Sequence, residues 1–199
     1  MAFTYFFRDM QTLEMIRDYV ISEMRSSRYI HIWDAGCAMG PEPYSLAIVL
    51  RENMGMTFRN VKIHATDIDS SNLFGDIIKK GIYPREQVQR IPKDLFEKYF
   101  SPADEPDHFI ISEEIRNCVS FTKHDLLDPK PIRSGLSLIM CKNVLLHLKA
   151  EERVEVLKMF HDALDNGYFA TEQTQKMPEQ LSDKFEPVLA NAQLYRKIG

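Results

Sequence analysis

The stretch Tyr29–Ser45, YIHIWDAGCAMGPEPYS, is the most informative part of the sequence, because a strand, a glycine-containing loop and the start of a helix follow one another directly in it. Two prolines after the loop suit the first turn of the helix, where a missing N–H costs nothing. The helix is predicted to run to about Gly55, a good C-terminal cap. VKIHATDID, at residues 61–69, then predicts a second strand that ends in acids.

The neighbouring segments extend this alternation in both directions. Apolar residues at helical spacing predict a helix over Met10–Arg28. Beyond the second strand, Ser70 or Ser71 is predicted to cap a short helix that Gly81 stops. The resulting order of helices and strands is typical of an α/β fold with a mostly parallel central sheet and crossover helices.

The middle of the chain, from Ile82 to Arg116, breaks that alternation. It contains four prolines, a predicted short helix at Lys93–Phe100 and a strand-like run, HFIIS, at residues 108–112. We therefore expect residues 1–199 to form a single domain with a small β-containing subdomain inserted at 82–116.

Strand and helix patterns resume after residue 116. The predicted elements are strands within 118–127 and 136–148, a helix at Ala150–Leu164 with Val154, Leu157, Phe160 and Leu164 facing inward, and two final strands within 168–173 and 191–198. Asn166–Gly167 is predicted to form a turn. No strongly periodic helix separates the last two strands, so they are predicted to pair antiparallel.

The overall composition is that of a soluble globular domain. The 199 residues are 44% hydrophobic and 27% charged, and the formal net charge is −4. Such a chain has no global basic field to attract nucleic acid or anionic lipid. The densest apolar stretch, Tyr44–Leu50, is too short to span a bilayer, and the N-terminus lacks the pattern of a signal peptide.

The cysteines and histidines do not form a metal-binding pattern. Cys37, Cys118 and Cys141 lie far apart in the sequence, which argues against a disulfide framework and against a CxxC metal site. None of the six histidines belongs to an HExxH-like motif. We expect a cytoplasmic protein without metal and without membrane insertion.

The strongest chemical signal is the loop that contains Gly36 and Gly40, followed by Asp67 at the end of the second strand. Glycines allow close approach of a ligand, and an acid at that position accepts hydrogen bonds from ribose hydroxyls. The loop lacks GxGxxG and GK[ST], which favours S-adenosylmethionine over NAD or ATP. The alternative is that both glycines serve packing alone and that Asp67 caps a helix.

At this point the chain resembles the CheR-type chemotaxis receptor methyltransferases. The matching stretches are TYFFRD at Thr4–Asp9, WDAGCAMGPEPYS at Trp33–Ser45, ATDID at Ala65–Asp69, CKNVLLHL at Cys141–Leu148 and the tail at Leu181–Lys197. Together they span nearly the whole sequence, and the combination is far more specific than any single motif. The resemblance implies a Rossmann-like methyltransferase fold and esterification of glutamate side chains with S-adenosylmethionine, which leaves S-adenosylhomocysteine.

The resemblance also implies a set of site residues. Those carried over to the cofactor are Thr4, Arg8, Gly36, Glu42, Asp67, Asp125, Leu126, Cys141 and Lys142. Among them, Glu42 would contact the methionyl amine and Asp67 the ribose, while Asp125 and Leu126 stand where the family has an Asn-Leu pair beside the adenine. Arg8 and His147 would border the transferred methyl group as catalytic residues, with His147 in place of the family's tyrosine.

The chain departs from the family pattern at several positions: Ala2 replaces an Asn and removes one cofactor contact, whereas the substrate side is altered more widely. Individual replacements are Ala2, Pro41, His147 and Glu172, and the loop Ser101–Asp107 lacks the glycine-rich turn of members that dock a receptor's C-terminal pentapeptide. We therefore expect no such tether. The family's helical N-terminal domain has no counterpart in these 199 residues, which leaves open whether the chain is naturally short or trimmed.

These observations leave the function open between several classes. The leading hypothesis is a methyltransferase acting on glutamates of a chemoreceptor cytoplasmic domain or another signalling protein. The alternative is a weakly active or inactive paralogue that binds S-adenosylmethionine or S-adenosylhomocysteine as a sensor or interaction module. A small-molecule methyltransferase also fits the fold. Nucleic-acid methylation is disfavoured, because the nearest string to [DN]PP[YF] is DPKP at Asp128 and the chain is acidic.

Overall fold

The structure is a computed structural model that describes residues 4–172, 176–189 and 193–199. Ala2, and parts of the last two predicted strands and of the family-like tail, lie outside these residues. None of the helices within the described ranges is long and apolar enough to cross a membrane.

A seven-stranded sheet forms the centre of the molecule, with the strand order β6-β2-β1-β7-β8-β10-β9. Its strands are β1 Ile30–Ala35, β2 Val61–Asp67, β6 Val119–Lys123, β7 Leu136–Met140, β8 Leu164–Ala170, β9 Phe185–Pro187 and β10 Leu194–Lys197. The first five in spatial order are parallel, and β10 runs antiparallel to both β8 and β9. The mostly parallel sheet and the antiparallel end are confirmed, whereas the edge strand β9 was not predicted.

Within the described residues, eight α-helical segments accompany the strands. They are α1 Met10–Met15, α2 Ile21–Met24, α3 Pro41–Met54, α4 Phe74–Lys80, α5 Arg85–Val88, α6 Lys93–Tyr99, α7 Glu113–Arg116 and α8 Ala150–Ala163. A π-helical turn, Ile16–Val20, joins α1 to α2, so the first helix is continuous but ends at Met24, not near Arg28 as predicted.

Apolar side chains fill both faces of the central sheet. On one face Ile32 and Ile63 pack in a cluster with the α1–α2 helix and α3, and on the other Trp33 and Phe160 belong to a cluster with α8. The inward face of α8 differs from the prediction, because Val156 is buried and Val154 only half-buried.

Two local predictions about turns and caps were wrong. The carboxylate of Asp69, not Ser70 or Ser71, accepts hydrogen bonds from the backbone of Leu73 and Phe74 at the start of α4, at 3.2 and 3.1 Å. An Asp side chain offers two acceptor oxygens to the free N–H groups of a first helical turn, whereas a serine offers one.

Asn166–Gly167 lies inside β8 and is not a turn. The pairing of β7 with β8 shifts register between Leu136 and Leu138, and Asn166 adopts a φ of +48° opposite this irregularity. A Cβ on Gly167 would stand 2.5 Å from the carbonyl oxygen of Ser137. The two turn-forming residues therefore accommodate a β-bulge.

Residues 82–111 form a second sheet of three antiparallel strands, in the order β3-β5-β4. The strands are β3 Ile82–Pro84, β4 Phe100–Pro102 and β5 His108–Ile111. Phe6, from the segment before α1, places its ring edge-on against Tyr83 and Phe100, with centroids 5.0 and 5.3 Å apart. The small sheet thus packs against the N-terminal segment.

Candidate cofactor site

A cavity of about 420 Å³ opens at the carboxyl ends of β1, β2 and β7. This is where parallel α/β sheets bind their ligands. Seven of the predicted site residues line it: Thr4, Arg8, Gly36, Glu42, Asp67, Lys142 and His147. The N-terminal segment, the glycine loop and the turn after β7 therefore meet at one place.

The glycine loop turns sharply over the end of the sheet. Gly36 has a φ of +94° and donates its N–H to the carbonyl oxygen of Thr66 at 2.8 Å. A Cβ at this position would stand 2.2 Å from Cγ2 of Val144, so only glycine fits. Gly40 has a φ of +101°, and a Cβ there would stand 2.7 Å from both Cγ1 of Ile78 and the hydroxyl oxygen of Tyr83. Both glycines therefore serve packing, and Gly36 also lines the cavity.

Asp67 ends β2 and holds the loop in place. One carboxylate oxygen accepts the N–H of Ala38 and the other that of Asp69, both at 3.0 Å. A carboxylate has about four lone-pair sites, so acceptor capacity remains for a diol. The alternative that Asp67 serves as the helix cap is wrong, because Asp69 caps α4.

Two acidic side chains in the site carry buried carboxyl oxygens to which no described group donates a hydrogen bond. Asp34, at the end of β1, is fully buried, and neither carboxyl oxygen accepts a hydrogen bond within the described residues. The same holds for Oε1 of Glu42, in the first turn of α3. Burial, then the neighbouring Glu42, raises the pKa of Asp34, and burial raises the pKa of Glu42 to about 7.

The ammonium of Lys142 donates its hydrogen bonds to groups other than Asp34 and Glu42. Nζ donates to the carboxylate of Asp9, and to the Thr12 hydroxyl and the Thr171 carbonyl at 2.8 Å each. Burial by itself would raise the pKa of Asp9, but its hydrogen bonds to Lys142 and Thr12 and the positive charge of Lys142 outweigh this and lower it. Lys142 thus fastens the start of α1 to the end of β7 and contributes its stem to the cavity wall.

The turn after β7 has a second support that sequence reasoning missed. Glu172, directly after β8, is 7% exposed and accepts the N–H of Asn143 at 2.9 Å and the Thr171 hydroxyl at 3.0 Å. Asn143 adopts a φ of +58° and lines the cavity. A buried charged residue at the end of an apolar strand was the available signal, because such a group needs a polar partner.

Three predicted residues do not line the cavity. The backbone N–H of His124 donates to the Asp67 carbonyl at 3.0 Å, but Asp125 is exposed and its carboxylate accepts the N–H of Leu127. Leu126 packs against the α8 face of the sheet. Cys141 is fully buried beneath the site, and burial raises the pKa of its thiol. The cofactor contacts expected of these three residues stay predictions.

Cys37, Ala38, Asn143 and Val144 line the cavity without having been predicted. No cluster of three or more His, Cys, Asp or Glu side chains in the described part of the chain is arranged to hold a metal ion.

The polar groups that line the cavity fit S-adenosylmethionine. Buried carboxyls without donors suit an ammonium, Asp67 suits a ribose diol, and the glycine loop admits a ligand against the backbone. The cavity volume lies in the range that holds a ligand of this size.

Solved structures share this architecture. The TehB-like SAM-dependent methyltransferase from Corynebacterium glutamicum superimposes with a TM-score of 0.50 at 13% identity, over 95% of this chain and 86% of that one. PKMT2 from Rickettsia typhi, solved in complex with AdoHcy, also gives 0.50, at 12% identity over 86% of this chain and 26% of that one. The fold is therefore the Rossmann-like fold of S-adenosylmethionine-dependent methyltransferases.

The sequence places the chain within that class. Residues 2–193 match the family model "CheR methyltransferase, SAM binding domain", and the chain belongs to this family. Its cofactor is S-adenosylmethionine, as predicted.

Named relatives fit the same family. A chemotaxis protein methyltransferase of Borreliella burgdorferi is 33% identical over 81% of this chain and 59% of its own length. Chemotaxis protein methyltransferase 2 of Pseudomonas aeruginosa is 32% identical over 78% of this chain and 56% of its own length. The chain therefore spans less than three fifths of these relatives.

Proposed function

We propose that this chain is the catalytic domain of a methyltransferase that esterifies glutamate side chains of a chemoreceptor or a related signalling protein. The proposal is supported by one observation above all: the cavity brings Arg8 and His147 together with Glu42 and Asp67. The side chains of Arg8 and His147 are exposed, whereas those of Glu42 and Asp67 are half-buried. A carboxylate substrate approaching from solvent would meet positive charge before it reached the cofactor.

Methyl transfer to a carboxylate requires little proton transfer by the protein. When bound, the cofactor supplies an electrophilic methyl group on a sulfonium. A glutamate side chain is already ionised at neutral pH, so no general base is needed. Glu42 and Asp67 would hold the two polar ends of the cofactor, and the guanidinium of Arg8 would orient the substrate carboxylate by parallel hydrogen bonds. Alignment of the reacting atoms and exclusion of water would supply the rate enhancement.

We extend this proposal to substrate recognition without a pentapeptide tether. The connection between β4 and β5 is short and closed on itself, since the N–H of Ala103 donates to the His108 carbonyl at 2.9 Å. Arg85 pairs with Asp107 at 2.5 Å at its end. The exposed β4 residues continue into this turn, with no glycine to open the backbone for an added strand.

Incubation with radiolabelled S-adenosylmethionine and the cytoplasmic fragments of the host's chemoreceptors tests the activity. Base-labile label on the receptor is expected from the wild-type chain, with the same yield from receptors that lack their last five residues. Arg8→Ala should lose turnover far more than cofactor affinity, because the lost interaction orients the reacting carboxylate.

Arg59→Ala is the matched control, since Arg59 is exposed and precedes β2 at the opposite edge of the sheet. Tight binding of S-adenosylhomocysteine with no label on any receptor would contradict the proposed activity and favour the alternative of a module that binds the cofactor without methylating a receptor. Equal losses of affinity and turnover in Arg8→Ala would reduce Arg8 to a cofactor contact.

A further inference from the structure

Asp34 and Glu42 form a pair of acids at the inner end of the cavity, and the proposed reaction gives a role to Glu42 but none to Asp34. Asp34 ends β1 and is 0% exposed, and Glu42 begins α3 on the far side of the glycine loop. Both oxygens of Asp34 and Oε1 of Glu42 are buried with no donor among the described residues. Two ionised carboxylates in such a place would repel each other and lack solvation, so the pair has to retain a proton.

The surrounding charges do not remove this need. Other titratable or charged groups of the described residues that interact with the pair are Asp67 from β2, the thiols of Cys37 in the loop and Cys141 after β7, Arg8 and Asp9 of the N-terminal segment, and Lys142 after β7. Asp67 adds further negative charge, and the ammonium of Lys142 donates to Asp9, Thr12 and Thr171. No side chain described here donates a hydrogen bond to Asp34, so its own proton is the donor that the geometry calls for.

The two acids differ in access to the cavity. Glu42 lines the cavity wall, whereas Asp34 lies behind it and does not. An arriving ammonium therefore meets Glu42 first. A hydrogen bond from a protonated Asp34 favours the charged form of Glu42 and the neutral form of Asp34, but burial outweighs this effect, and the pKa of Glu42 is raised to about 7.

We propose that Asp34 stays protonated and donates its hydroxyl to Glu42, and that Glu42 releases its proton to solvent when the ammonium of the cofactor binds. Asp34 is then a positioning residue that orients the Glu42 carboxylate, and cofactor capture is linked to pH. The exchange moves one proton from the Glu42 carboxyl to water and changes no other covalent bond. This inference rests on the proposed position of the cofactor in the cavity.

Isothermal titration of the wild-type chain with S-adenosylhomocysteine tests the linkage. With a free-state pKa of about 7 for Glu42, affinity should rise roughly 15-fold between about pH 5.5 and 7.0, where an α-amino group stays protonated. At about pH 6, buffers of different ionisation enthalpy should reveal close to one proton released per ligand bound.

5′-Methylthioadenosine is the matched control ligand, because it keeps the adenosine and lacks the ammonium. It should bind without proton release and with little dependence on pH. Equal proton release by the two ligands, or binding of S-adenosylhomocysteine that is independent of pH, overturns the inference and leaves the proposed function intact. Failure of both ligands to bind overturns the cofactor placement itself.

Two substitutions separate the roles of the acids. Asp34→Asn keeps a hydrogen-bond donor of nearly the same shape, so affinity for S-adenosylhomocysteine at about pH 7.5 should change by less than about threefold. Glu42→Gln removes the charge that meets the ammonium, so affinity should fall at least about tenfold and proton release should disappear. A tenfold loss in Asp34→Asn, with the circular dichroism spectrum unchanged, would mean that Asp34 is ionised and would overturn the assignment.

Discussion

Replacing Lys142 by methionine should destabilise the protein much more than an ordinary surface substitution. Nζ of Lys142 donates hydrogen bonds to Asp9, Thr12 and the Thr171 carbonyl. Methionine fills a similar volume but has no donor for these three groups. The Lys142 side chain is 2% exposed and that of Asp9 is 36% exposed. Breaking a buried ion pair costs about 3–5 kcal/mol, and the partial exposure of Asp9 lowers the expected loss in unfolding free energy to about 2–4 kcal/mol.

Urea unfolding measures this loss, with Lys158→Met as the matched control. Lys158 pairs with Glu155 at 2.8 Å, but the two side chains are 48% and 71% exposed, so its loss should cost less than about 1 kcal/mol. A double-mutant cycle with Asp9→Asn should give a coupling free energy of about 1.5–3 kcal/mol. Equal losses in the two lysine variants, or additive effects of Lys142 and Asp9, would refute the argument.

Two further predictions concern the glycine loop and the buried acids. Gly36→Ala should lower the free energy of unfolding by about 2–4 kcal/mol and abolish cofactor binding, because the added Cβ would overlap Val144. Gly135→Ala, at a φ of +73° but in open space, should lower it by only about 1–2 kcal/mol. Similar unfolding free energies for the two variants would contradict this expectation. A carboxyl whose pKa is raised in the folded state stabilises the protein at low pH and loses this contribution as pH rises from its unfolded-state pKa through about 7. Relative to the wild type, the unfolding free energy of Glu42→Gln should therefore rise by about 2–3 kcal/mol between about pH 5 and 7.5. The variant is compared with the wild type because the half-buried His64, whose pKa is lowered to about 4, shifts the pH profile of stability in both proteins in the opposite direction. A constant difference in unfolding free energy across this pH range would contradict the expectation.

The parts of the fold that sequence reasoning predicted well are those with a strong local pattern. An apolar run, a glycine loop and a proline-started helix specify β1 and α3 within a few residues, because burial, turning and capping act on neighbours in sequence. The local errors arose where tertiary context decides. Asn166–Gly167 has the composition of a turn, and only the bulge against β7 shows why it lies within a strand.

The site was less accessible to prediction because its contacts join distant segments. Glu42 and Asp67 could be placed by motif, but nothing near Lys142 in sequence indicates Asp9, 133 residues away. The depth of Asp34 likewise depends on how the loop folds back over β1. For Asp125, whose position in the sequence suggests a ligand contact, the structure shows that its carboxylate accepts the N–H of Leu127, and the ligand contact stays a prediction.

The small antiparallel sheet supports the site from behind. Tyr83 of β3 donates its hydroxyl to the Met39 carbonyl in the glycine loop at 2.9 Å, and its ring packs edge-on against Phe6. The N–H of Phe7, next in the chain, donates to the Ser45 hydroxyl of α3 at 2.8 Å. The loop that receives the cofactor and the segment that carries Arg8 are therefore held by the same buried aromatic cluster. Because Arg8 follows directly on Phe7, its position at the cavity depends on packing in the small sheet as well as on the Rossmann-like core.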